Sequence, residues 1–436
     1  MKKIIVLTLM AMSLSLAAGL AAGESSAPVI ISLAKSEALT PALRTMGLDF
    51  LFERDGRVFV VASEADLLKL ERAGIAYAVE TERFAPATPS TSPARQPQAA
   101  GGINGDFHDY YEVEQELKAL ESEFPNLAAL YDLGDSLEGR EIYGLKLSAN
   151  VQSDENEARI IFLGCHHARE WISVEVPLLF ARYALERYAS DDSIKGLLDR
   201  SEIWVVPLTN PDGLEYSIHT YRYWRKNRRD NGDGSFGVDL NRNYDYAWGL
   251  DDEGSSPDPD SAVYRGTAPF SEPELQAVRG LMASLPFQAL ISFHNYSQTI
   301  LYPWGYTEAL APDAARLDEL AAGMAGRIQA VNGRVYSYGP AGSSLYLTNG
   351  ETTDWAYGVF GTMAYTVELP PQEYEAGGFF NAEAEIQPIF LENLPAMTYL
   401  IEESIASYVP PAGAPGSGER RARKPGRDAP RIKDRP

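Results

Sequence analysis

A single cysteine, Cys165, stands in a chain of 436 residues, so no intramolecular disulfide can form and stability must come from the core and any bound ions. Histidine is almost as scarce: there are five, two of them adjacent at 166 and 167. Basic residues are in deficit, 38 Lys and Arg against 61 Asp and Glu for a formal net charge of -23. That balance argues against nucleic acid or stable membrane association, since both partners require a basic face. Beyond the N-terminus there is no apolar run long enough to span a bilayer. What remains suits a packed soluble fold, with 45% hydrophobic residues and a length that predicts two or three domains.

The first residues, MKKIIVLTLMAMSLSLAAGLAAG, join two lysines, a short apolar run and small residues at Ala21, Ala22 and Gly23. This pattern predicts a secretory signal peptide over 1–23, in preference to a membrane anchor, and hence a secreted protein. Residues 24–83 carry strand-like runs (VIISLA, LDFLFE, RVFVVAS, AYAVE) around a helical stretch, EADLLKLERAG, and predict a small α+β unit acting as a pro-segment or an accessory domain. Residues 84–106 are rich in Pro, Ala and Ser and read as a linker. From 107 to 408 apolar strand-like runs alternate with helical segments. The alternation predicts an α/β domain: a mixed, mostly parallel central sheet with helices on both faces. Residues 409–436 hold no core-forming pattern and predict a disordered basic tail.

In RIIFLGCHHAREWISVEVPLL a buried strand is predicted to end at Gly164 and a helix to begin around Val174. His167 and Glu170, spaced as His-x-x-Glu, can point at one ion, and imidazole with carboxylate suits zinc. The spacing favours His167 over His166, which is expected to be a packed or hydrogen-bonded strand-end residue. Alone the motif is a weak signal. His294, at the end of FQALISFH, supplies a further candidate, because strand ends of an open α/β sheet converge on one crevice. YRYWRKNRRD and GVDLNRNYDY place guanidinium groups where an anionic substrate end could be held. Glu368, near the end of the otherwise apolar TMAYTVELP, is expected to be paired or to act as a general base. Cys165 reads as a small buried thiol, and His108 and His219 as surface residues.

In this order, Gly-x-His-His-x-Arg-Glu-Trp, Asn-Pro-Asp-Gly, Tyr-Trp-Arg-Lys-Asn-Arg, Gly-Val-Asp-Leu-Asn-Arg-Asn and Ser-Phe-His-Asn-Tyr-Ser-Gln are followed by Tyr346, Asp354-Trp355 and Glu368. Together they resemble the carboxypeptidase A/B-like zinc metallocarboxypeptidases, of a secreted bacterial type, over roughly residues 107–408. The resemblance implies one zinc per chain held by His167, Glu170 and His294, with Asp239 behind the first histidine. It implies Glu368 as base and then acid, and Arg225 on the scissile carbonyl. Asn241, Arg242 and Tyr346 would grip the substrate's terminal carboxylate, while Arg169 and Tyr296 would line outer subsites. Where the family's animal digestive enzymes carry a disulfide, this chain has Ser235 and Asp260, so that loop must be held otherwise; the acidic stretches 230–235 and 251–260 could bind calcium or simply be solvated. Thr353 is expected at the base of the side-chain pocket and Glu351 within reach of a basic side chain, which predicts mixed apolar and basic specificity. The expected partners are peptide or protein C-termini and an activating endoprotease, and the expected state is a monomer. Two other readings share the fold: action on cell-wall or γ-glutamyl peptides, and a catalytically silent binding module.

Overall fold

The computed structural model describes residues 29–35, 46, 48–80 and 104–410. The predicted signal peptide, most of the linker and most of the tail lie outside the described residues.

The N-terminal unit is an antiparallel sheet of β1 (Val29–Ala34), β2 (Asp49–Arg54), β3 (Arg57–Ala62) and β4 (Tyr77–Val79), in the order β2-β3-β1-β4. Its one described helix, Glu64–Arg72, starts at a capping box: the Ser63 hydroxyl accepts from the Asp66 N–H, and the Asp66 carboxylate accepts from the Ser63 N–H. Alternation along the strands gives the sheet two apolar faces. Ile31, Leu33, Val58 and Val60 cluster with Leu70 of the helix. Leu51, Phe59 and Val61 cluster instead with Tyr223, Tyr374 and Phe379 of the larger domain.

The larger domain is built on eight strands: β5 (Ala128–Asp135), β6 (Glu141–Leu147), β7 (Ala158–Leu163), β8 (Ser201–Val206), β9 (Ala289–Asn295), β10 (Thr299–Tyr302), β11 (Ser337–Pro340) and β12 (Met363–Leu369). Their order is β11-β10-β12-β9-β7-β8-β6-β5. The central pairs β12/β9, β9/β7 and β7/β8 are parallel, as is β10/β11, whereas β10/β12, β6/β8 and β5/β6 are antiparallel. Every residue of β7, β8 and β9 is buried, as strands covered on both faces must be. Helices Tyr110–Glu123, Ile172–Arg187, Ala314–Asn332 and Ile386–Ser407 contribute to the core on one face, and Pro273–Ser284 and Thr352–Phe360 to the core on the other. The helix expected from Val174 starts two residues earlier, at Ile172. No helix among the described residues is long and apolar enough to cross a membrane.

This topology brings the C-terminal ends of β7, β9 and β12 to one crevice, where ligands bind in open α/β sheets. The β9/β12 register sets Glu368 directly opposite His294, and the β7/β9 register sets Leu163 opposite Ser292.

Candidate active site

Beyond β7 the chain turns hard. A Cβ on Gly164 would lie 2.3 Å from the Ser173 carbonyl oxygen and 2.5 Å from that of Pro207, so only glycine fits. Cys165 follows with a φ of 52°, in the left-handed region. It is fully buried, and burial pushes its thiol well above the usual range. The turn leads into two buried histidines with different surroundings: His166 bonds Ser292 and Tyr244, and His167 lines the crevice.

His167 Nδ1 lies 2.9 Å from Glu170 Oε1, His294 Nδ1 lies 2.9 Å from Glu170 Oε2, and the two Nδ1 atoms are 3.1 Å apart. Among the described residues this is the one set of His, Cys, Asp or Glu whose ligand atoms could hold an ion, all within 4.8 Å of one another. Two ring nitrogens and a carboxylate oxygen aimed at one point are the donor set of a catalytic zinc site. All three side chains are buried, and gathering lone pairs this closely is unfavourable unless a proton or cation lies between them. The residues therefore fit zinc. The neighbouring imidazoles hold the Glu170 carboxyl well below its usual range against the opposing effect of burial, while burial lowers His294.

Behind the ligands, Asp239 Oδ1 stands 3.2 Å from His167 Nε2 and accepts the Asn241 N–H at 3.0 Å; its Oδ2 accepts from Arg225 Nε and Nη2 at 3.1 and 2.9 Å. One buried carboxylate thus fixes a ring and a guanidinium together. Arg242 spends Nε and Nη1 on the Gly254 and Asn241 carbonyls, both at 2.6 Å. No carboxylate among the described residues pairs with it. Glu368 faces these groups; burial, reinforced by the Glu170 charge, pushes its carboxyl well above the usual range against the pull of Arg225 and Arg242.

The cavity, about 410 Å³, is lined by His167, Glu170, His294, Arg225, Asn241, Arg242, Glu368 and Tyr346, the last partly exposed. Glu351 also lines it. Its Oε2 accepts from the Thr348 hydroxyl and its Oε1 from the Thr353 hydroxyl, each at 2.8 Å. Thr353, expected at the pocket base, is instead buried behind Glu351 and is not among the cavity-lining residues. Thr348 and Thr366, which complete the lining there with Leu301 and Ala341, were not legible as site residues. Arg169 and Tyr296 line the cavity too, but the N-terminal unit engages both: Asp49 forms a two-pronged ion pair with Arg169, and the Tyr296 hydroxyl donates to the Leu51 carbonyl.

Three further expectations need correction or completion. The acidic stretches have internal partners: Asp230 and Asp233 accept backbone N–H groups of their own turns, Asp251 accepts from Asn349, and Asp258 pairs with Lys69. Nothing in this geometry supports calcium. The loop lacking a disulfide is held by Lys226, whose buried ammonium donates to the Pro259 and Ser261 carbonyls at 2.8 and 2.9 Å; burial draws that amine down to about 8. His108 is not a free surface residue. Its Nδ1 lies 2.8 Å from Oε2 of the buried Glu175, whereas His219 is exposed beside Glu215.

A half-parallel sheet whose strand ends carry a two-histidine, one-carboxylate set, with a further carboxylate opposite, has the donor arrangement found in mononuclear metallohydrolases. More narrowly, the chain belongs to the zinc carboxypeptidase family, whose sequence profile matches residues 113–396. It is 34% identical over 294 residues to carboxypeptidase A4 of Mus musculus, covering 67% of this chain and 69% of that protein. To carboxypeptidase B of Astacus astacus it is 36% identical over 288 residues, covering 65% and 91%. Among solved structures, bovine thrombin-activatable fibrinolysis inhibitor, in complex with tick carboxypeptidase inhibitor, aligns at a TM-score of 0.63 and 29% identity over 70% of this chain and 99% of that one. Carboxypeptidase A from Helicoverpa armigera shares the fold over 87% of this chain and 98% of its own, at a TM-score of 0.72 and 24% identity. The protein is a metallocarboxypeptidase, a hydrolase.

Proposed function

We propose that this is a secreted exopeptidase that removes single C-terminal residues, basic as well as apolar, and that residues 24–83 restrain it as a pro-segment. The observation that carries the exopeptidase reading is Arg242: a buried guanidinium facing the cavity that pairs with no carboxylate among the described residues, beside Asn241 and across from Glu368. Such a group calls for an anion from the substrate. With the terminal carboxylate on Arg242 and Asn241 and with Tyr346 at the rim, the scissile carbonyl falls between Arg225 and Glu368, and fixed attack geometry supplies much of the rate. His167, Glu170 and His294 would hold zinc, which would supply a Lewis acid for that carbonyl and for a water. Arg225 stabilises the developing oxyanion. Glu368 takes the proton from water and returns it to the leaving amine, a role suited to a carboxyl whose affinity for protons is raised.

The specificity reading rests on Glu351. Two hydroxyl donors hold its carboxylate in the cavity wall, among Leu301 and Ala341. A C-terminal Lys or Arg gains a charge-assisted contact there, while an apolar residue still meets an apolar wall. The restraint reading rests on Leu48, Asp49, Phe50 and Leu51, which line the same cavity. A peptide occupying that space must displace them. Blocked dipeptides with free and amidated C-termini test the exopeptidase reading: hydrolysis of the free acid only is expected, and equal hydrolysis of the amide refutes it.

A further inference from the structure

We infer that His166 is a positioning residue that sets the direction of a buried hydrogen-bond chain running from the zinc ligand His294 to Asn241, and so adds a hydroxyl donor to the backbone N–H already on the Asn241 side-chain oxygen, holding its amide N–H groups towards the substrate carboxylate. The inference rests on the exopeptidase reading only for what Asn241 grips.

His294 offers Nδ1 to the Glu170 and His167 cluster, so its ring hydrogen sits on Nε2, which faces the Ser292 hydroxyl at 3.0 Å. Ser292 accepts that hydrogen, and its own points to His166 Nδ1, 3.1 Å away. A neutral ring that accepts at Nδ1 must carry its hydrogen on Nε2. In His166 that nitrogen faces the Tyr244 hydroxyl at 2.8 Å and the Thr352 hydroxyl at 3.2 Å. Thr352, receiving on its oxygen, directs its hydrogen to Asn241 Oδ1 at 2.7 Å.

The far end is fixed independently. The Thr352 backbone N–H, which can only donate, also reaches that atom of Asn241, at 2.9 Å, so the atom must be the carbonyl oxygen. Two donors then hold Oδ1, and Nδ2 is left to the cavity that Asn241 lines. His166, Ser292, Thr352 and Tyr244 are all fully buried, so no water can substitute for a missing partner without opening the core. The rings of His166 and His294 also stack, with centroids 5.5 Å apart and planes 15° from parallel, which locks the rotamer on which the chain depends. The adjacent histidine pair thereby divides its work: His167 serves the ion, and His166 aligns the groups behind both the ion and the carboxylate anchor.

The test uses the zinc-loaded full chain. In wild type, 15N-histidine NMR should show His166 protonated at Nε2 and bare at Nδ1; protonation at Nδ1 would overturn the inference whatever the substrate class. Ser292→Ala touches neither Asn241 nor Arg242, yet it should weaken a competitive inhibitor bearing a free carboxylate about three- to tenfold, roughly the worth of one buried hydrogen bond. It should also weaken zinc about tenfold, as loss of a bond behind a ligand does. Unchanged inhibitor affinity in Ser292→Ala would refute the coupling. His166→Leu should raise KM more than it lowers kcat, and His166→Gln, which keeps a donor and an acceptor, should recover part of the loss. Equal losses in the two variants would leave His166 as packing alone.

Discussion

Replacing Glu351 with Ala isolates the group proposed to separate basic from apolar substrates. In the intact protein its two oxygens are held by Thr348 and Thr353 at 2.8 Å each, so the carboxylate is already oriented and little further ordering is needed when a guanidinium arrives. A hydrogen bond to a charged group in such a site contributes about 1.5–3 kcal/mol, which converts to about a ten- to hundredfold loss in kcat/KM for Arg-ended blocked dipeptides. Phe-ended dipeptides, resting on Leu301 and Ala341, should change less than about threefold. Glu351→Gln separates charge from shape, since the amide oxygen can still accept a hydroxyl while the negative charge is gone; it should resemble Ala on Arg-ended substrates and wild type on Phe-ended ones. Steady-state kinetics on both dipeptides decide it. Equal losses on both, or a wild-type enzyme inert on Arg-ended dipeptides, would refute the reasoning and leave a purely apolar pocket.

Glu368→Gln should lower kcat by several orders of magnitude while elemental analysis still finds one zinc per chain, because it removes the proton acceptor and spares the ligands; survival of a tenth of the activity would assign the base elsewhere. Cutting within 84–106 should raise activity, and Asp49→Ala should raise that of the uncut chain by freeing Arg169; an uncut chain as active as the cut one would show that the unit leaves the cavity open to substrate. For His108, burial alone would lower the pKa, but the hydrogen bond and charge of Glu175 outweigh it and raise the imidazole from 6.5 to about 9. The stabilisation is then fully present below about pH 6.5 and is lost as pH rises through about 9, amounting to roughly 3 kcal/mol. His108→Gln should flatten the decline of thermal stability between those values, and an unchanged slope would place the titration elsewhere.

What the sequence disclosed and what it withheld divide along contact distance. His167 and Glu170 share one turn, and His294 and Glu368 each close an apolar strand, so their approach follows from the rule that parallel strand ends meet at one crevice. The sheet itself was legible because β7, β8 and β9 are fully buried and read as continuous apolar runs. The pocket wall was not, because Glu351 enters the cavity through the way the start of helix Thr352–Phe360 packs against Gly305 and Thr348; the residue expected there, Thr353, turns away to bond it. The partners of His166 lie 78, 126 and 186 residues along the chain, and Ser, Thr and Tyr carry no spacing signal. Lys226, too, reads as one more cation in a basic stretch until the carbonyls it holds are seen.

The N-terminal sheet is covered on both faces in the intact chain, by its own helix on one side and by Tyr223, Tyr374 and Phe379 on the other. Severing the linker would therefore create surface as well as remove an obstruction. Leu51, Phe59 and Val61 would lose cover worth about 1.5–3 kcal/mol each, in a unit near the lower size limit for independent folding. If the unit acts as the proposed pro-segment, a fragment so placed would unfold and be open to proteases before it could dock again. Release would then act as a ratchet: the catalytic domain would emerge with an aromatic rim at its mouth, and the segment that covered it would not persist as a diffusible inhibitor.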